Sequence, residues 1–124
     1  MKIFLTGGSG FIGQNFCQLV TKKGHYVYAI SRKKKRNKNE NIKWLLGDLS
    51  TNWKKELSNS DILVHMAASG INKNNKEDVY DTNVFNSLKL INNSIKYKCK
   101  KWLIVSSSSE YGIRSNKTKF SKNL

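Results

Sequence analysis

Solid apolar runs and helical stripes alternate along the chain from its first residues. Ile3, Phe4 and Leu5 form an uninterrupted apolar run, as a strand buried on both faces requires. Ile12, Phe16, Leu19 and Val20 then recur at helical spacing, which predicts a helix with that stripe as its core face. Lys22, Lys23 and Gly24 supply the charge and the flexible residue that end it. Tyr26 to Ile30 predicts a second strand, Ile42 to Leu46 a third, and Asp61 to His65 a fourth that is again solidly apolar. Ser50 to Leu57 predicts a short helix between the third and fourth strands. A long helix follows with Tyr80, Val84, Leu88, Ile91 and Ile95 as its core stripe, and Lys101 to Val105 predicts a fifth strand. Strands that alternate with helices are joined by right-handed parallel crossovers, so the expected fold is a doubly wound α/β sheet.

The first chemistry lies between the first strand and the first helix. Thr6 is followed by Gly7, Gly8, Gly10 and Gly13. A pyrophosphate needs backbone N–H groups within reach, no Cβ in the way, and the charge of roughly +0.5 at a helix N-terminus. Gly7 is expected to make the turn, Gly10 to admit the phosphates and Gly13 to let the helix lie close on the strand. A merely flexible glycine-rich turn is the alternative, but a strand before and a helix after are what a dinucleotide site demands.

Composition changes this picture little. The chain has 124 residues, enough for one domain, with 23 basic against 8 acidic side chains and a net charge of +15. Such a balance suggests an anionic partner. The excess is largely lysine, accompanied by many asparagines and no proline, a bias that A/T-rich codons produce by themselves. The basic residues are scattered and do not alternate with aromatics, so no nucleic acid is expected as a partner. Cys17 and Cys99 form no CxxC pair and fall on the apolar sides of predicted helices, as reduced, buried residues do. His25 and His65 lack metal-ligand spacing, so no metal is expected. No run approaches about 18 apolar residues and no signal peptide is evident, which predicts a soluble, cytoplasmic protein without a membrane partner.

The end of the second strand bears on the choice of cofactor. About 20 residues past the glycines an NAD site places an acidic side chain on the adenosine ribose. Here stand Ser31 and Arg32, then Lys33, Lys34, Lys35 and Arg36. Arginine grips a phosphate with two parallel N–H bonds, which lysine cannot do. Ser31 and Arg32 therefore favour NADP(H) over NAD(H), while the lysines up to Lys38 are taken as a solvated loop.

Five stretches in order carry a resemblance. Thr6 to Gly13 (TGGSGFIG) resembles the TGGxGFIG signature of the extended short-chain dehydrogenase/reductases, the nucleotide-sugar epimerases and dehydratases. The resemblance implies cofactor contacts at Gly7, Gly10, Phe11, Ile12 and Gly13. Gly47-Asp48-Leu49 resembles the family's G-D-[LIV] step, in which Asp48 would accept from the adenine amino group and Leu49 pack near the ring. Capping of the helix from Ser50 is the other role open to Asp48. His65 to Ala68 resembles the H-x-A-A segment, which places Met66, Ala67 and Ala68 beneath the cofactor and leaves His65 structural. Asn83 matches the asparagine of N-V-x-G-T, which ties its helix to the active-site strands and cofactor, with Asn86 and Ser87 replacing the Gly-Thr pair. Ser106 to Gly112 resembles S-S-x-x-x-Y-G and makes Ser107 the catalytic hydroxyl, hydrogen-bonded to the reacting sugar oxygen.

The resemblance runs from Met1 to about Gly112. The family's proton-exchanging Tyr-x-x-x-Lys pair is missing: Tyr97 and Lys101 have the spacing but precede the fifth strand, and Lys117 to Leu124 resembles the polar segment leading towards that helix. Residues 1–124 are thus expected to form one Rossmann-type NAD(P)-binding domain, strand order 3-2-1-4-5, incomplete at the C-terminus and without a substrate domain. The implied function is the cofactor-binding portion of a nucleotide-sugar epimerase, dehydratase or reductase for surface-polysaccharide sugars, transferring hydride at a ring carbon and inactive alone. Such a protein is compatible with a homodimer. Its rivals are a truncated remnant or non-catalytic nucleotide-binding module, and a basic nucleic-acid-binding domain.

Overall fold

In the computed structural model, which describes residues 1–36, 39–70 and 76–107, five strands form one parallel sheet. They are β1 (Lys2–Thr6), β2 (Tyr26–Ser31), β3 (Ile42–Leu46), β4 (Ile62–His65) and β5 (Lys101–Ile104). Their order is β3-β2-β1-β4-β5, as the sequence predicts. Phe4 at the centre pairs with Tyr28 on one side and Leu63 on the other. The helical elements are α1 (Phe11–Lys22), α2 (Lys54–Ser58), α3 (Lys76–Tyr80), a π-helical segment (Asp81–Asn86) and α4 (Ser87–Lys96).

The period-two geometry of β1 divides the core into two clusters. Ile3 and Leu5 point to one face with Cys17, Val27, Ala29 and Val64. Phe4 points to the other with Trp53, Leu57, Leu63 and Leu90. Both faces are covered, which is why β1 and β4 are solidly apolar. Burying a side chain as completely as Phe4, Leu5 or Leu63 stabilises the fold by roughly 1.5–3 kcal/mol.

The helices sit rotated from the expected faces. On α1 the buried residues are Gly13, Cys17 and Thr21, with Phe16 and Val20 packed at the margin; Ile12 and Leu19 are exposed. Contact with the sheet is made by the smallest side chains, and the large apolar residues flank it. On α4 the buried residues are Ser87, Leu90 and Ser94, and Ile91 alone of the predicted stripe packs on the core. Tyr80, Val84, Leu88 and Ile95 are exposed. A π-helical turn between Tyr80 and Ser87 also breaks the constant 3.6-residue period that linked these positions in sequence. Helix α2 begins at Lys54, not Ser50. Cys99 lies between α4 and β5 rather than on a helix; both thiols are free and buried, and burial pushes Cys17 up to about 11. Strand β5 is the edge of the sheet among the described residues, with Trp102, Leu103 and Ile104 partly exposed.

Gly13 fixes how closely α1 approaches β1. A Cβ there would meet the carbonyl oxygen of Gly7 and lie 2.7 Å from the Cα of Gly8. Both are backbone atoms that cannot move aside. Gly13→Ala is expected to lower stability by about 1–3 kcal/mol, read as a shifted denaturant midpoint at constant slope.

Candidate functional site

The carboxyl ends of the strands open into a cleft of about 480 Å³, within the range of small-molecule sites. Gly7 and Gly10 line it from the turn after β1, Ser31 and Arg32 from the end of β2, Asp48 and Leu49 from the loop after β3, and Met66, Ala67 and Ala68 from the loop after β4. Thr82 and Asn86 close it from the π-helical segment. The cleft lies where the strand order reverses about β1, the position at which open α/β sheets bind ligands.

Gly7 makes the turn with φ +75°, and a Cβ on it would lie 2.8 Å from the backbone of Met66 and Ala67. The glycine serves a left-handed turn and a close approach at once. The Gly10 N–H closes the turn on the Gly7 carbonyl at 3.0 Å. Gly10 is also the N-cap of α1, which has no side-chain cap and no acidic residue in its first turn. The positive end of α1 is left uncovered by side chains, as an anion site requires. Phe11 and Ile12 open the helix with exposed side chains outside the cleft lining. Gly13 lies behind the turn and acts through packing.

The flanking walls are held by local hydrogen bonds. The Ser31 hydroxyl donates to the Lys33 carbonyl at 2.8 Å and accepts the Lys33 N–H at 3.2 Å. It shapes the turn, and Arg32 is the exposed cationic group on that wall. Asp48 Oδ1 accepts from the Ser50 N–H at 2.9 Å and from the hydroxyls of Ser50 and Thr51 at 2.6 and 3.3 Å. The Ser50 hydroxyl is the main reason its carboxyl is held below the usual range. Asp48 thus caps its own turn; α2 has Trp53 at its N-cap, so the helix-capping role is excluded. Trp53 Nε1 donates to the Asp48 carbonyl at 2.8 Å while its ring packs on Phe4 at 5.9 Å. Leu49 lines the cleft and is buried in the same cluster. Asn83 binds the loop after β4 twice: its Oδ1 accepts the Ser69 N–H at 2.6 Å and its Nδ2 donates to the Ser69 carbonyl at 3.0 Å.

A model of the NAD dependent epimerase/dehydratase family matches residues 3–123. The chain belongs to that family. CDP-abequose synthase of Salmonella typhimurium is 32% identical over 103 residues, 77% of this chain and 34% of that protein. UDP-glucose 4-epimerase of Vibrio cholerae is 29% identical over 113 residues, 86% of this chain and 34% of that one. The crystal structure of UDP-glucuronic acid 4-epimerase from Bacillus cereus in complex with NAD superimposes with a TM-score of 0.81 at 25% identity, covering 93% of this chain and 43% of that one. The chain spans about a third of the length of these curated relatives.

Within this epimerase/dehydratase family chain, Ser107 lies three residues past β5, exposed and outside the cleft lining. Glu110, Tyr111, Gly112 and the segment from Lys117 lie outside the described residues, as does Lys38. No helix among the described residues is long and apolar enough to cross a membrane. Motif reading gave no role to Thr6, Trp53 or Ser87. Thr6 and Ser87 flank the buried His65, with Thr6 Oγ1 2.6 Å from Nδ1 and Ser87 Oγ 2.9 Å from Nε2. The sequence held no signal for Trp53 or Ser87 beyond residue type, because both act through contacts distant in sequence or across a loop.

Burial holds the His65 pKa below its usual 6.5. The unfolded chain therefore binds a proton below about 6.5 that the native state resists, so stability is full above that pH and falls towards the lowered native pKa. The denaturant midpoint is expected to drop between about pH 7.5 and about pH 5.5, and His65→Asn to remove that part of the slope.

Proposed function

We propose that this chain is the NADP(H)-binding portion of a nucleotide-sugar epimerase, dehydratase or reductase, with residues 1–124 as its dinucleotide-binding domain. The observation that carries the reading is the uncapped N-terminus of α1, set behind the Gly7–Gly10 turn and opening into the cleft. The pyrophosphate would lie on Gly7, Gly10 and the first-turn N–H groups of α1, with Gly13 allowing the helix to come that close. Asp48 would accept from the adenine amino group through Oδ2, to which nothing among the described residues donates. Leu49 would pack against the adenine, and Met66, Ala67 and Ala68 would form the floor under phosphate and ribose.

The preference for NADP(H) rests on Arg32 and on the absence of any carboxylate at the end of β2. The Bacillus cereus relative was solved with NAD, so this chain would differ from it. When bound, the nicotinamide supplies hydride exchange with a sugar ring carbon. Asn83 would hold the wall beside it through Ser69, and Ser107 would donate to the sugar oxygen where charge develops. The relatives' printed names support nucleotide sugars as the substrate class. A cytoplasmic location and use in surface-polysaccharide synthesis complete the proposal.

Titration with NADPH and NADH tests it. NADPH is expected to bind more tightly, and Arg32→Ala to weaken NADPH binding about 10- to 100-fold, the range of about 1.5–3 kcal/mol for a hydrogen bond to a charged group, with little effect on NADH. Gly10→Ala is expected to weaken both dinucleotides with only a small drop in melting temperature, since its Cβ meets one backbone atom, the Gly7 carbonyl oxygen, at 3.3 Å. Tighter NADH binding by the unaltered chain would overturn the Arg32 assignment; binding of neither would overturn the reading.

A further inference from the structure

Between the two walls of the cleft runs a chain of hydrogen bonds that passes through the buried His65. The Ser87 hydroxyl donates to the Thr82 carbonyl at 2.8 Å. Having given its only proton, Ser87 Oγ must accept at its 2.9 Å contact with His65 Nε2, so Nε2 carries hydrogen. Thr6 Oγ1 accepts the Ala67 N–H at 3.1 Å and shares the Met66 N–H, at 3.2 Å, with the Thr6 carbonyl oxygen at 3.3 Å. With the hydrogen of the neutral ring on Nε2, Nδ1 is bare and accepts from the Thr6 hydroxyl at 2.6 Å. The neutral Nε2–H tautomer satisfies all five bonds.

The two ends of this chain are parts of the site. Met66 and Ala67 belong to the loop after β4, and Thr82 to the π-helical segment that faces it across the cleft. We infer that His65 is a positioning residue: locked as the Nε2–H tautomer between Thr6 and Ser87, it sets the spacing of the two walls and so the fit of the dinucleotide. This inference rests on the binding reading above. Thr6, which ends β1, and Ser87, which opens α4, act with it as one unit. Loss of either hydroxyl breaks the same connection, so their effects on binding should not multiply.

The test is the dissociation constant for NADPH in the full chain and in five variants, alongside NMR of the imidazole nitrogens. Thr6→Val and Ser87→Ala are each expected to weaken binding about three- to tenfold, the scale of one neutral hydrogen bond. The double variant should be no weaker than the weaker single one. Thr6→Ser and Ser87→Thr, which keep the hydroxyls, should restore the original affinity. NMR should show Nδ1 bare and Nε2 protonated, a readout that stands even where Thr6→Val fails to fold. Losses that multiply in the double variant, no rescue by the hydroxyl-keeping pair, or a bare Nε2 would each overturn the inference. If the unaltered chain binds neither NADPH nor NADH while the tautomer is as stated, the binding reading has failed and not the hydrogen-bond assignment.

Discussion

Everything in this molecule is arranged around one close contact, that of Gly13 on α1 against the backbone of Gly7 and Gly8. No larger residue can hold the helix that near the strand end. The contact brings the start of α1 against the turn, and the turn in turn lies against Met66 and Ala67. Two parts of the chain, residues 7–13 and the loop at Met66 and Ala67, meet there with almost no side chain between their backbones. The result is a surface of N–H groups and a helix end beside an open cleft.

The same contact explains the rotation of α1. With Gly13 pinned inward, Cys17 and Thr21 must follow on that face at helical spacing, and Phe16 and Val20 fall to its sides. Serines act likewise on α4, where Ser87 and Ser94 face inward with Leu90. Ser94 accepts from the Trp102 indole at 2.6 Å and so ties α4 to β5. Close packing is carried by small residues, and the exposed apolar stripe from Tyr80 to Ile95 lies one helical step away from the face that touches the sheet.

The loops around the cleft are fixed by polar side chains that serve the backbone. Asp48 and Trp53 shape the loop after β3, Ser31 the turn after β2, and Asn83 the loop after β4. Their hydrogen bonds pre-form the walls, so binding would require little ordering of the chain. The buried imidazole of His65 completes the set by joining the wall after β4 to the π-helical segment.

Sequence alone determined the strands, their parallel order and the glycine turn, because these follow from local rules. An apolar run covered on both faces, a turn only glycine can make, and a right-handed crossover leave few alternatives. It also named most of the cleft's lining, from Gly7 and Gly10 to Arg32, Asp48 and Met66 to Ala68, since each stands at a strand end. Tertiary structure decided the rest. Which face of α1 or α4 is buried depends on how near the helix can come, and the apolar stripe does not carry that distance. Whether Asp48 caps a helix or its own turn depended on where α2 begins, which Trp53 settles by packing on Phe4. The tautomer of His65 required partners 59 and 22 residues away, and no local pattern encodes a hydrogen bond between strands and helices that only the folded sheet brings together.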